Sequence, residues 1–275
     1  MRRPWLRYGV ACTAIVLALF FLAVRRRDLA DAPPPPPPLS PAEGAVLAQA
    51  APIDPALVVR VTPDPARHPG VAFSVADRGL WLTARVAVEG CAKVAILIGG
   101  GEGVSAKVLT GPTGDVAALA TADGAPALPL ARQDPARGAI AFAPGFDAGR
   151  PAEVALRVLG PEALERRDRA RPHADVEALA EIGRTEGVGG DLAELAGAPV
   201  LDDAGRVVGV ILAGAPRRGR FYAARASALS QALAAAKVPA SPSAAGLAFT
   251  VDNYGLAADD LRRSLRIAPV VCTAS

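Results

Sequence analysis

ELAGAPVLDDAGRVVGVILA, running from Glu194 to Ala213, is the stretch whose reading decides the fold. PVLD (199–202) is a short apolar run, and RVVGVILA (206–213) is a β-branched run of strand length. Asp, Ala and Gly between them supply turn chemistry, so the segment reads as a hairpin. Similar runs separated by Gly, Pro and Asp recur on its N-terminal side: LVVRV (58–62), VAFSV (71–75), LWLTARVAV (80–88), KVAILI (93–98), KVL (107–109), DVAALA (115–120), GAIAFA (138–143) and EVALRVL (153–159). Many short strands at this spacing predict a sandwich or barrel. Within this stretch only Ala224 to Lys237 has helical periodicity, with Leu229 and Leu233 on one face, so helix follows the strands and does not alternate with them. A break at Pro239 and Pro242 leads to an amphipathic stretch, Leu256 to Leu265, and a last run ending at Cys272.

Composition limits what can fill the core. The chain has 275 residues, 51% hydrophobic but only 4% aromatic, so its interior must be built from Ala, Val and Leu. Arg outnumbers Lys 27 to 3, yet the net charge is only +3 and scattered, which excludes a nucleic-acid binder.

Tyr8 to Val24 (YGVACTAIVLALFFLAV) carries no charge and has the length of a short membrane-spanning helix. Arg25, Arg26 and Arg27 follow where a signal-peptide cleavage site would need small residues, so the expectation is an uncleaved anchor with Trp5 and Tyr8 at the interface. Arg2, Arg3 and Arg7 on the other side make the charge count for orientation nearly a tie. Six consecutive prolines, 33–38, within a Pro/Ala-rich stretch then form a semi-rigid spacer.

Three segments, in order and at workable spacing, resemble the conserved blocks of the trypsin-like serine protease family. GLWLTARVAVEGC (79–91) is similar to the strand and loop reading Leu-Thr-Ala-x-His, which puts the general-base position on Val86. GDVAALA (114–120) resembles the Asp-x-Ala block, with Asp115 at the orienting carboxylate. ELAGAPVLDDAGRVVGVILA is similar to Gly-Asp-Ser-Gly-Gly-Pro-Val and its hairpin, with the nucleophile position on Ala196 and an oxyanion-turn glycine position on Glu194. The resemblance implies an all-β, two-barrel trypsin-like fold with a C-terminal helix, preceded by one N-terminal transmembrane helix.

The same residues argue against the family's chemistry. A serine hydroxyl needs a base to take its proton, and the base needs a third group to orient it. Valine accepts no proton and alanine has no oxygen, while a Glu in place of the glycine disturbs the turn that aims N–H groups at an oxyanion. The two histidines, His68 and His173, lie in loop-like, charged surroundings, and Ser105 with Lys107 share a strand face only as alternation requires. Arg166 to Arg171 interleave with Glu162, Glu165, Asp168 and Asp175 as a solvated loop or short helix. IGGGEGV (98–104) lacks the Lys-Ser/Thr ending of a phosphate loop and reads as a hairpin connection.

Of three cysteines, Cys12 lies in the apolar span, leaving Cys91 and Cys272 either to pair across the domain or to stay as two buried thiols. The pairing is the expectation, and with the family resemblance it favours a domain outside the cytoplasmic membrane, in the periplasm. No metal and no cofactor is expected. The organisation is then an anchor (1–27), a linker (28–57), a trypsin-like domain (58–237) and a tail packing on it (238–275). The expected function is an inactive homologue binding a protein or peptide in the inter-barrel cleft. The alternative is an active serine-type endopeptidase using other residues.

Overall fold

A computed structural model describes residues 55–110, 114–165, 173–185, 188, 192–215, 219–238 and 246–273. The apolar span, Cys12 and the proline run lie outside the described residues. Among those described, no helix is long and apolar enough to cross a membrane.

The first barrel contains β2 (Gly70–Ala76), β3 (Leu80–Ala84), β4 (Val94–Gly99), β5 (Glu102–Val108), β6 (Val116–Ala120) and β13 (Ile267–Cys272). Its ring runs β2-β3-β6-β5-β4-β13, with β13 antiparallel to both β4 and β2. The stretch expected as a tail thus supplies a strand of the barrel itself. β1 (Val58–Arg60) stands outside the ring, on the part of β5 (102–104) that β6 leaves uncovered. The second barrel closes as β10 (Pro199–Leu201), β11 (Val207–Ala215), β12 (Arg220–Arg225), β9 (His173–Arg184), β8 (Arg150–Glu165) and β7 (Ile140–Asp147). Helix α1 (Ala226–Ala236) packs on β6, β11 and β12, bridging the barrels, and α2 (Tyr254–Arg263) packs on β7 and β8.

Strand alternation explains why β2 and β3 are buried along their whole length. Ala72 and Trp81 join the cluster of Ile96, Val104, Leu119 and Val270, while Val71, Phe73 and Leu82 join the second barrel's core. Trp81, fully buried, occupies the space that small neighbours leave, and its indole N–H donates to Thr121 Oγ1 at 3.0 Å.

Several boundaries differ from expectation. LWLTARVAV does not continue as strand past Ala84, because Arg85–Ala87 turns into a 3-10 helix. β9 and β12 were not expected. HADVEALAEIGR is strand although Ala, Leu and Glu favour helix, since it pairs with β8 on one side and β12 on the other. The acid-rich flanks of the Arg-rich stretch, Glu162 and Asp175, are therefore strand residues, with 166–172 outside the described residues. β12 claims Ala224 and Arg225, so the helix begins at Ala226, where Asp134 accepts that residue's N–H at 3.0 Å.

Cys91 and Cys272 form a disulfide with Cα atoms 5.2 Å apart across a sequence separation of 181. Closing so long a loop removes denatured-chain entropy worth about 5 kcal/mol on a chain-entropy account. Cys91→Ser should lower stability by about 2–5 kcal/mol, measured by urea unfolding, and added reductant should then have no further effect. Equal stability of the two proteins would contradict this.

Candidate functional site

The three motif segments converge where the barrels meet. β3 ends at Ala84 and the chain turns through Arg85–Ala87, leaving the Val86 side chain 47% exposed. This turn is tied to the second segment: Arg85 N–H donates to Asp115 O at 2.8 Å, and Arg85 Nε to Gly114 O at 2.5 Å.

The third segment reaches the same place by close backbone approach. Ala196 O accepts the Val71 N–H at 2.9 Å. Gly197, at φ +94°, lies so near that a Cβ would stand 2.1 Å from Val71 O, 2.3 Å from Thr83 Oγ1 and 3.0 Å from Ala84 N. No side chain fits there, nor in that backbone conformation. A Cβ on Gly70 would meet Ala87 Cβ at 2.5 Å and Ala196 O at 2.8 Å, so this glycine lets the Val86 turn and Ala196 share one wall. Thr83 Oγ1 donates to Val71 O at 2.6 Å and completes the junction.

Ahead of Ala196 the chain makes a 3-10 turn over Ala193–Leu195, entered through Leu192 at φ +51°. The Ala196 N–H is used within it, donating to Ala193 O at 3.2 Å. Glu194 is half-buried, and the backbone of the β7–β8 turn at Ala148 and Gly149 favours its charged form. Burial foremost, and the Asp147 charge, push its pKa above the ordinary glutamate value against the pull of this backbone and of His68. His68 is exposed, as its loop-like setting implied, but it lies two residues before Gly70, and this position lets its charge reach Glu194. Sequence spacing alone carried no signal of that proximity.

His173 opens β9, where its backbone lies opposite Glu165 at the end of β8. Ser105 and Lys107 are both exposed on β5 of the first barrel. The described residues hold no cluster of His, Cys, Asp and Glu able to bind a metal.

One edge beside the junction has no strand partner among the described residues. Gly197 N–H donates to Ile211 O at 2.8 Å, and Ile211 N–H to Ala198 O at 2.9 Å, but β10 pairs with β11 no farther than Val210. Beyond Ile211, Ala213 to Ala215 pair, among the described residues, only with β12, and Ala213 and Gly214 are exposed.

The description "trypsin-like peptidase domain" matches residues 70–210, just over half of the chain, and this range includes all three segments. No curated protein matches the chain. Among solved structures, the active form of the Rv3671c protease from M. tuberculosis is 21% identical, with a TM-score of 0.51, over 73% of this chain and 97% of that one. Its inactive form is 22% identical, with a TM-score of 0.50, over 66% and 100%. At this identity the likeness shows the two-barrel fold alone. The MamO protease domain from Magnetospirillum magneticum is 20% identical over 64% of this chain and 95% of that one, with a TM-score of 0.48. The match over residues 70–210 is what establishes the family: the chain belongs to the trypsin-like peptidases.

Proposed function

We propose that this chain is a membrane-anchored, catalytically silent member of that family, held on the periplasmic side of the inner membrane, whose inter-barrel cleft binds an extended protein or peptide segment. The observation that carries the reading is the chemistry at the junction. Acyl transfer requires an oxygen to attack the carbonyl carbon, a base to take its proton and N–H groups to receive the oxyanion. Val86 and Ala196 supply neither base nor oxygen, and the Ala196 N–H is already bonded to Ala193 O.

Binding needs none of these groups. The free edge of β11 from Ala213 to Ala215 offers backbone partners to an extended chain, and small exposed residues leave it accessible. The uncharged span before Arg25 supports anchorage, and the Cys91–Cys272 disulfide supports an oxidising compartment.

The purified protein should show no peptidase or esterase turnover and no labelling by a serine-directed covalent probe, and inhibitor-sensitive hydrolysis would refute the reading. Val86→His with Ala196→Ser should remain inactive, because Glu194 still stands where the oxyanion turn uses a glycine and the 193–196 turn keeps the residue-196 N–H on Ala193 O. Adding Glu194→Gly should be needed before the probe reacts at Ser in position 196. The full chain should remain in the membrane fraction after osmotic shock and carbonate washing, with its first 27 residues attached; an N-terminus beginning after Ala32 would contradict the anchor.

The Glu194 carboxyl, raised in the folded state, binds its proton more tightly there than when unfolded. Its stabilising contribution is fully present below the unfolded pKa and lost as pH rises through the folded value. Glu194→Gln should therefore melt above the parent at about pH 7, with the difference shrinking towards about pH 4, as followed by thermal denaturation.

A further inference from the structure

We propose that α2 and β13 form one rigid clamp across the two barrels, and that the buried Arg262 guanidinium is the latch by which this clamp fixes the wall of the cleft at Gly145 and Leu195. The inference concerns cleft geometry and does not depend on what the cleft binds.

One end of the clamp belongs to the first barrel. β13 lies between β2 and β4 and is covalently held to Cys91. The other end lies on β7 of the second barrel at two points. Tyr254 stacks on Phe142 with ring centroids 5.7 Å apart, and Arg262 Nη1 donates to Gly145 O at 3.2 Å. Between the ends there is no slack. Leu265 N–H donates to Arg262 O at 3.0 Å and Arg266 N–H to Leu261 O at 2.8 Å, with Leu265 at φ +53°, the geometry of a Schellman cap. Arg266 O then accepts the Ser74 N–H at 2.8 Å, and β13 begins at the next residue.

The latch is a charge with 2% of its surface exposed. Arg262 pairs with the Glu153 carboxylate on β8, which also accepts the Thr185 hydroxyl. Its Nε is 3.9 Å from Asp259, and the guanidinium carbon stands 5.9 Å from the centre of the Phe146 ring. Among the described residues, Nε and Nη2 have no hydrogen-bond partner. Packing optimised for stability alone would favour an apolar residue over a guanidinium so incompletely satisfied. What the charge holds is specific. A Cβ on Gly145 would stand 2.6 Å from Leu195 Cδ2, 3.0 Å from Val71 Cγ2 and 3.5 Å from Ala198 Cβ. The carbonyl gripped by Arg262 thus belongs to the residue where β7 touches both the turn before Ala196 and β2 of the other barrel. Arg262 is a positioning residue, acting on the cleft through Gly145.

The test is residue-resolved hydrogen exchange on the full chain, parent against Arg262→Met. The clamp requires amides at the junction, Val71, Gly197 and Ala198, to exchange about tenfold faster or more, while those inside each barrel, Leu82 and Val210 among them, keep their protection. Uniform acceleration would overturn the proposal, since Arg262 would then contribute to global stability only. Unchanged exchange at the junction would overturn it too. Should the single variant not fold for want of a partner to Glu153, Arg262→Met with Glu153→Met leaves no unpaired charge and must show the same local pattern. Failure of both variants to fold also refutes the clamp, which presupposes barrels that survive loss of the latch.

Discussion

Closure of the first barrel by its last strand is the constraint from which the remaining geometry follows. β2 can be covered on both edges only when residues 267–272 arrive, almost two hundred positions downstream. Pairing over such a separation must offset the entropy of ordering everything between. Two features compensate. β13 is buried throughout, with Ile267, Ala268 and Val270 essentially without exposed surface, and the disulfide removes much of the chain entropy that would oppose its return. The strand carries the consequence to the cleft, because β2 also supplies Val71, whose amide and carbonyl meet Ala196 and Thr83.

The contacts that assemble the junction are separate from the side chains at positions 86 and 196. What brings the three segments together is backbone: Gly197 against Val71 and Thr83, Gly70 against Ala87 and Ala196, the Arg85 amide on Asp115. None of these contacts uses the side chain of residue 86 or 196. Val and Ala there leave the wall intact.

The same distinction governs how much was legible in the sequence. β2, β3, β6 and the β10–β11 hairpin carry β-branched or leucine-rich runs bounded by turn residues, and the motif spacing placed Val86, Asp115 and Ala196 in segments that do converge. β9 was not legible because Ala178, Leu179, Ala180 and Glu181 have the local preference of a helix, and two flanking strands override it. β13 was legible as an apolar run but not as a barrel strand, since alternation specifies faces and not partners. Arg262 was the least legible residue. On an amphipathic stretch an arginine reads as solvent-facing, and only the tertiary placement of Glu153 and Gly145 turns it inward.

A core of small residues makes such placements decisive. With 4% aromatic residues the barrels meet through Val71, Gly145, Leu195 and Ala198, two of which have no side-chain torsion with which to adapt. Backbone position alone then sets the contact, and small displacements of β7 cannot be absorbed locally. An interface of small aliphatic residues gains close approach and gives up the tolerance that longer, flexible side chains would provide. Anchoring β7 at both Phe142 and Gly145 from a single helix restricts its translation and tilt together. On the reading proposed above, a cleft that binds without catalytic groups would depend on that restriction, because recognition would rest on the alignment of the β11 edge with its opposite wall.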